Sequence, residues 1–160
     1  MRCSLLGTAL CAAVAACAGS TSVGQDRTVL IQFNRAPTSA DSSAVRALGA
    51  RRALVVRVAR AIAARGSTEA TRYETLPDVI RSDDLGEEDD PLVSVFVHVV
   101  DVPTLEDSAF VAALGGVGVG TLRPENVLAA VLRLGVVDRL GERARFTNVE
   151  IVASSIWVGP

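Results

Sequence analysis

The chain has no lysine: its 16 basic residues are all arginine, set against 18 acidic ones for a formal charge of −2. A near-neutral chain without a basic tail lacks the clustered positive charge that neutralising phosphates requires, which excludes nucleic acid as the expected partner. Cysteine stops at residue 17, with Cys3 and Cys11 before it. The rest of the chain therefore holds no intramolecular disulfide and no thiolate metal site, and its cohesion comes from packing. There is one histidine, His98, in the strand-like stretch VSVFVHVV beside Phe96, and it reads as structural or as an interface residue rather than a catalytic base. Gly115, Gly116, Gly118 and Gly120 precede a strand instead of opening a helix, so they form no phosphate loop. With carboxylates scattered or gathered in one short acidic stretch, the expectation is a protein that is not an enzyme and uses no cofactor and no metal.

Long hydrophobic runs are missing too. The run Leu5 to Ala16, LLGTALCAAVAA, has twelve residues, too few to span a bilayer as a helix, and behind Met1 and Arg2 it reads as a signal peptide over 1–16. Its end, Val14-Ala15-Ala16-Cys17, resembles the bacterial lipoprotein signal, in which cleavage precedes a lipid-bearing cysteine. That implies export to the cell envelope, lipid attachment at Cys17, and membrane contact only through that N-terminal lipid. Plain secretion, with cleavage after the small-x-small Ala16-Cys17-Ala18, is the other reading. Residues 17–27 are small and polar, as suits a flexible tether.

What the chain does contain, it contains twice. Residues 37–49, PTSADSSAVRALG, return at 103–115 as PTLEDSAFVAALG, identical at eight of thirteen positions with an offset of 66. The same offset lays Val29, Ile31 and Phe33 on Val95, Val97 and Val99, and AIAA at 61–64 on VLAA at 127–130. Two copies of one small unit follow, 28–84 and 92–160, joined by an acidic linker at 85–91. In each, an alternating apolar strand leads to a helix capped by Thr38 with Asp41, or Thr104 with Asp107, and closed by Gly49 or Gly115. RRALVVRVARAIAARG has helical as well as strand spacing. Its second copy carries Gly116, Gly118, Gly120 and Pro124, which would break a helix, so both copies are read as two strands with a turn near 58–60 and 124–126. A short helix, Ser67 to Leu76 or Gly135 to Arg145, and a last strand, Asp78 to Ser82 or Asn148 to Ala153, complete each copy.

The expected fold class is α+β: two tandem ferredoxin-like βαββαβ domains, each a four-stranded antiparallel sheet with two helices on one face. The other faces are then open, carrying Leu30, Gln32 and Asn34 in the first copy and Ser94, Phe96 and His98 in the second. Two such faces in one chain can also pack on each other. DDLGEEDDP, residues 83–91, reads as a solvated linker without the ligand pattern of a calcium loop. Arginines 46, 51, 52, 57, 60 and 65 read as an exposed rim or as partners of that linker.

TVLIQF, LGARRALVVRVARAIAARG and LPDVIRSDD, spanning residues 28–84, resemble the propeptide and inhibitor domain of subtilisin-like serine proteases. The second copy joins the family only through its likeness to the first. The resemblance implies a βαββαβ domain that lays its open sheet face on the protease and sends its C-terminal tail into the active-site cleft. The expected partner is therefore a subtilisin-like serine protease. The open-face residues would make the contact, and Ser154, Ser155, Ile156, Trp157 and Val158 would form the inhibitory tail. Packing of Ile156 to Val158 onto the last sheet is the competing role for that segment. A structural or protein-interaction module of the cell envelope, built from two packed repeats, is the alternative function. A small-ligand sensor using the seam between the copies is a third.

Overall fold

The computed structural model describes residues 25–122 and 125–152. The chain is α+β, with two four-stranded antiparallel sheets. The first copy runs β1 (Arg27–Phe33), α1 (Ser39–Ala47), β2 (Ala50–Val56), β3 (Ala61–Gly66) and β4 (Val79–Asp84). The second runs β5 (Leu92–Val99), α2 (Leu105–Ala113), β6 (Val117–Leu122), β7 (Val127–Arg133) and β8 (Phe146–Val152). The sheets have the orders β2-β3-β1-β4 and β6-β7-β5-β8, the same arrangement twice.

The duplicated stretch forms α1 and α2 through the same local chemistry. Thr38 and Thr104 accept from the backbone N–H of Asp41 and Asp107, whose carboxylates in turn accept from the Thr38 and Thr104 N–H groups at 2.7 and 2.9 Å. The two boxes are then cinched differently. Arg35, just after β1, holds Asp41 at 2.7 Å, whereas Arg143 and Arg145, from the far end of the second copy, hold Asp107 at 2.6 and 3.2 Å. The Arg35 guanidinium, against opposing burial and with help from Thr38, holds the Asp41 carboxyl well below the usual carboxylate range. Burial pushes the Asp107 carboxyl up, but Thr104, Arg143 and Arg145 outweigh it and leave it equally depressed.

The second helix expected in each copy is a 3-10 helix, over Ala70–Thr75 and Leu134–Glu142. Glu69, not Ser67, precedes the first of these, and it makes no side-chain cap bond. A poorly capped segment of six residues has too few bonds to propagate as an α-helix, so tertiary contact decides its geometry. The last strands also start and stop elsewhere than expected, β4 reaching Asp84 and β8 starting at Phe146. At the expected turn of the first copy, a 3-10 turn (Arg57–Ala59) leads into left-handed Arg60, and left-handed Asn126 holds the equivalent place in the second.

In each copy the α-helix and the 3-10 helix cover one sheet face. Val45 and Tyr73 pack on Val29, Ile31, Phe33, Ile62 and Ala64. Val111, Val137 and Leu140 pack with Val95, Val97, Leu128 and Ile151. That second core does not stop at the copy boundary: Leu30, Val56, Ala61 and Ala63, from the outer face of the first sheet, belong to it.

Candidate binding surface

The contrast between the sheets lies at their first strands, β1 being buried on both faces and β5 on one, while β7, like β3, is buried on both. Along β1, Thr28 through Ile31 are all buried, whereas along β5 buried Val93, Val95, Val97 and Val99 alternate with partly exposed Ser94, Phe96 and His98. Strand pairing puts Leu30, Ala63 and Leu54 on one face, and the equivalent Phe96, Ala129 and Gly120 on the other copy's matching face. The outer face of the first sheet meets the helical layer and last strand of the second copy, not its open sheet. The second 3-10 helix runs against the Arg57–Ala59 turn, where Asp138 accepts the Val58 N–H at 3.1 Å. Gln32 and Arg81 both donate to the Ile151 carbonyl of β8, at 2.9 and 3.0 Å.

The acidic linker is tied into the same seam. Arg65 donates to the Glu88 carbonyl at 2.9 Å and pairs with Asp89 at 2.9 Å. Arg133 donates to the Asp90 carbonyl at 2.7 Å, and Asp90 accepts the Gly135 N–H at 2.7 Å. Asp83 and Asp84, read from sequence as part of the linker, are strand residues of β4.

No described element crosses the outer face of the second sheet. Leu92, Val117 and Leu122, exposed at 53%, 58% and 42%, share it with Phe96 and Val131, and a dimple of about 20 Å³ opens between Ser94, Phe96, Ala129 and Val131. Exposed apolar side chains gathered on one sheet face in this way mark an interaction site more often than a solvated face. One polar pair borders it, His98 Nε2 to Glu150 Oε1 at 3.0 Å across β5 and β8.

The residues expected at an open face therefore divide. Phe96 and His98 lie on the surface just described. Leu30 is 0% exposed, and Gln32 is committed to Ile151, so a partner reaches neither without displacing the second copy. Asn34 lies past the end of β1, donating its N–H to the Asp78 carbonyl at 2.9 Å. Cys17 and the tail residues Ser154, Ser155, Ile156, Trp157 and Val158 fall outside the described residues. Sequence reasoning passed over Leu92, Val117, Leu122, Val131 and Glu150. The alternation of β5 itself marks Leu92, and carrying it across to β6, β7 and β8 with the strand register in hand marks the others.

Among the described residues, no three His, Cys, Asp or Glu side chains lie close enough to share a metal ion, and no helix is long and apolar enough to cross a membrane. The arrangement is that of a two-copy α+β protein with one sheet face left without a described cover. No protein-family model, no curated protein and no solved structure matches the chain.

Proposed function

We propose that this is an exported, non-catalytic protein, anchored by a lipid on Cys17, that binds and inhibits subtilisin-like serine proteases. Its contact surface is the open face of the second sheet together with the chain that follows β8. Each copy is ferredoxin-like in this reading, which rests on the strand order repeated in both sheets and on the pairing of one α-helix and one 3-10 helix over a single face. The observation that carries the function is local to the second copy: Val152, where β8 ends, pairs with Ser94, two residues from Phe96 on the same face of β5, so β8 ends beside this surface. The first copy, which carries the family resemblance, serves as the base on which the second stands.

The test is inhibition of a purified subtilisin-like protease, followed with a small chromogenic substrate through an incubation long enough to reveal digestion. Saturable inhibition that outlasts the incubation, and is lost in Phe96→Asp and on deletion of residues 153–160 with the fold intact, is the expected result. Rapid cleavage without inhibition of several such proteases would leave the alternative, a protein-interaction module of the cell envelope. One observation favours that second reading: the outer face of the first sheet is spent on the second copy, as in a pair of repeats built to hold each other.

A further inference from the structure

We propose that the open face of the second sheet takes its partner by the contact that already covers the first. The partner is another protein that presents an apolar helix beside a strand with a free backbone carbonyl, and His98 and Asn148 bind that carbonyl. This goes beyond the protease reading, because it states what any partner of the face must offer.

The first sheet shows the contact made. Val137 and Leu140 of the 3-10 helix and Ile151 of β8 share one core with Leu30, Val56, Ala61 and Ala63. At the border of that face Gln32 and Arg81, paired across β1 and β4, both donate to the Ile151 carbonyl, at 2.9 and 3.0 Å. Two donors on one acceptor fix where the covering strand lies, which apolar contact alone does not.

The second sheet repeats the border as well as the centre. His98 and Asn148 are paired across β5 and β8 where Gln32 and Arg81 are paired in the first copy, each pair just before a register shift. Both side chains carry N–H groups. A carboxylate stands in the matching place beside each pair, Asp83 opposite Leu30 and Glu150 opposite Phe96. Asp83 holds Arg81 at 3.1 Å, and Glu150 holds His98 and Asn148 at 3.0 and 3.5 Å. Arg81 serves its carboxylate and the carbonyl at once, and Asn148, with two N–H groups, can do the same. In the centre Phe96 replaces Leu30 and Gly120 replaces Leu54, and the dimple beside Phe96 is the place for an incoming side chain.

A second copy of this chain does not offer that cover. The apolar helical layer of its second copy is spent on its own first sheet, and the 3-10 helix of its first copy turns Thr71, Arg72, Glu74 and Thr75 to solvent.

The experiment uses the purified, isotope-labelled full chain and a synthetic peptide of residues 134–152, LGVVDRLGERARFTNVEIV, the helix and strand that cover the first sheet. Saturable amide shifts in NMR spectra are expected, centred on Phe96, His98, Ala129 and Asn148. His98→Ala and Asn148→Ala should each weaken binding about fivefold, as should reducing the peptide's Ile151 carbonyl to a methylene. The double variant should bind the native and reduced peptides equally, and His98→Gln, which supplies the residue the first copy uses, should keep the parent affinity. No saturable shift, shifts centred on Leu30 and Ala63, or a double variant that still prefers the native peptide would overturn the proposal. Shifts at Phe96 and His98 that grow with chain concentration alone would overturn the choice of partner and make it a second copy. The peptide assay needs no protease, so it succeeds or fails separately from the inhibition test.

Discussion

Leu30, Val56, Ala61 and Ala63 in the first copy stand where Phe96, Leu122, Val127 and Ala129 stand in the second, yet the first four belong to a core that spans both copies, whereas at the second four positions Phe96 is half-buried, Leu122 is exposed and only Val127 and Ala129 are buried. The difference lies in what each copy offers its neighbour. The contact between copies is heterologous, sheet face against helical layer, and such a contact propagates unless an end is blocked. The first copy blocks it: its 3-10 helix turns Thr71, Arg72, Glu74 and Thr75 to solvent, while the longer one in the second copy contributes Val136, Val137 and Leu140 to packing. The stack therefore has a polar end and an apolar end, and the apolar end is the proposed contact surface.

The sharpest way to break this comparison is to put a charge at one position in each copy. Leu30→Asp buries an unpaired carboxylate in the shared core and should cost about 4 kcal/mol in urea unfolding, enough to unfold a marginal domain. Phe96→Asp, at the equivalent place, should change stability by less than about 1 kcal/mol while removing protease inhibition. Equal losses would mean that both faces are covered.

A smaller effect separates the two capping boxes. Asp107→Asn weakens contacts with two arginines from a distant part of the copy as well as with the helix cap, and should cost about 2 kcal/mol. Asp41→Asn, whose arginine is local, should cost less. Both carboxyls are depressed in the fold, so the stability they contribute is complete above the unfolded carboxylate range, about 4. It is lost as pH falls below that range towards the depressed folded values. Urea midpoints measured from pH 7 downward should fall through this window. The fall should flatten when both residues are replaced by asparagine.

The smallest expected difference is at the polar positions beside Leu30 and Phe96. Gln32→Ala removes a bond to the Ile151 carbonyl and should cost about 1 kcal/mol, whereas His98→Ala, which removes an exposed pair with Glu150, should stay within about 0.5 kcal/mol. A urea titration of the two variants beside the parent checks the order.

Much of the fold could be read from residues because its signals are local or repeated. Thr38 with Asp41 and Thr104 with Asp107 act within three residues, and β1 and β5 declare their inner faces by alternation. The glycines and Pro124 of the second copy separated strand from helix where the first copy was ambiguous. The second helices stand where they were expected, but as 3-10 helices with other bounds, because the first has no side-chain cap and its geometry follows from what it packs on. Gln32 and Leu30 were expected at an open surface by the same alternation that put Phe96 on the outer face of β5. Nothing in β1 tells that a carbonyl 119 residues away would accept the Gln32 amide.

By itself the sequence determined the duplication, the strands and capped helices of each copy, and the face each strand turns to its own core. These depend on spacings of two, three or four residues, which the backbone translates into direction without reference to distant parts. Tertiary structure alone decided which of two equivalent sheet faces is buried, and that the acidic linker is held by Arg65 and Arg133. Those outcomes depend on how two finished surfaces fit each other, and side-chain volume and charge at that fit are not encoded in any local period.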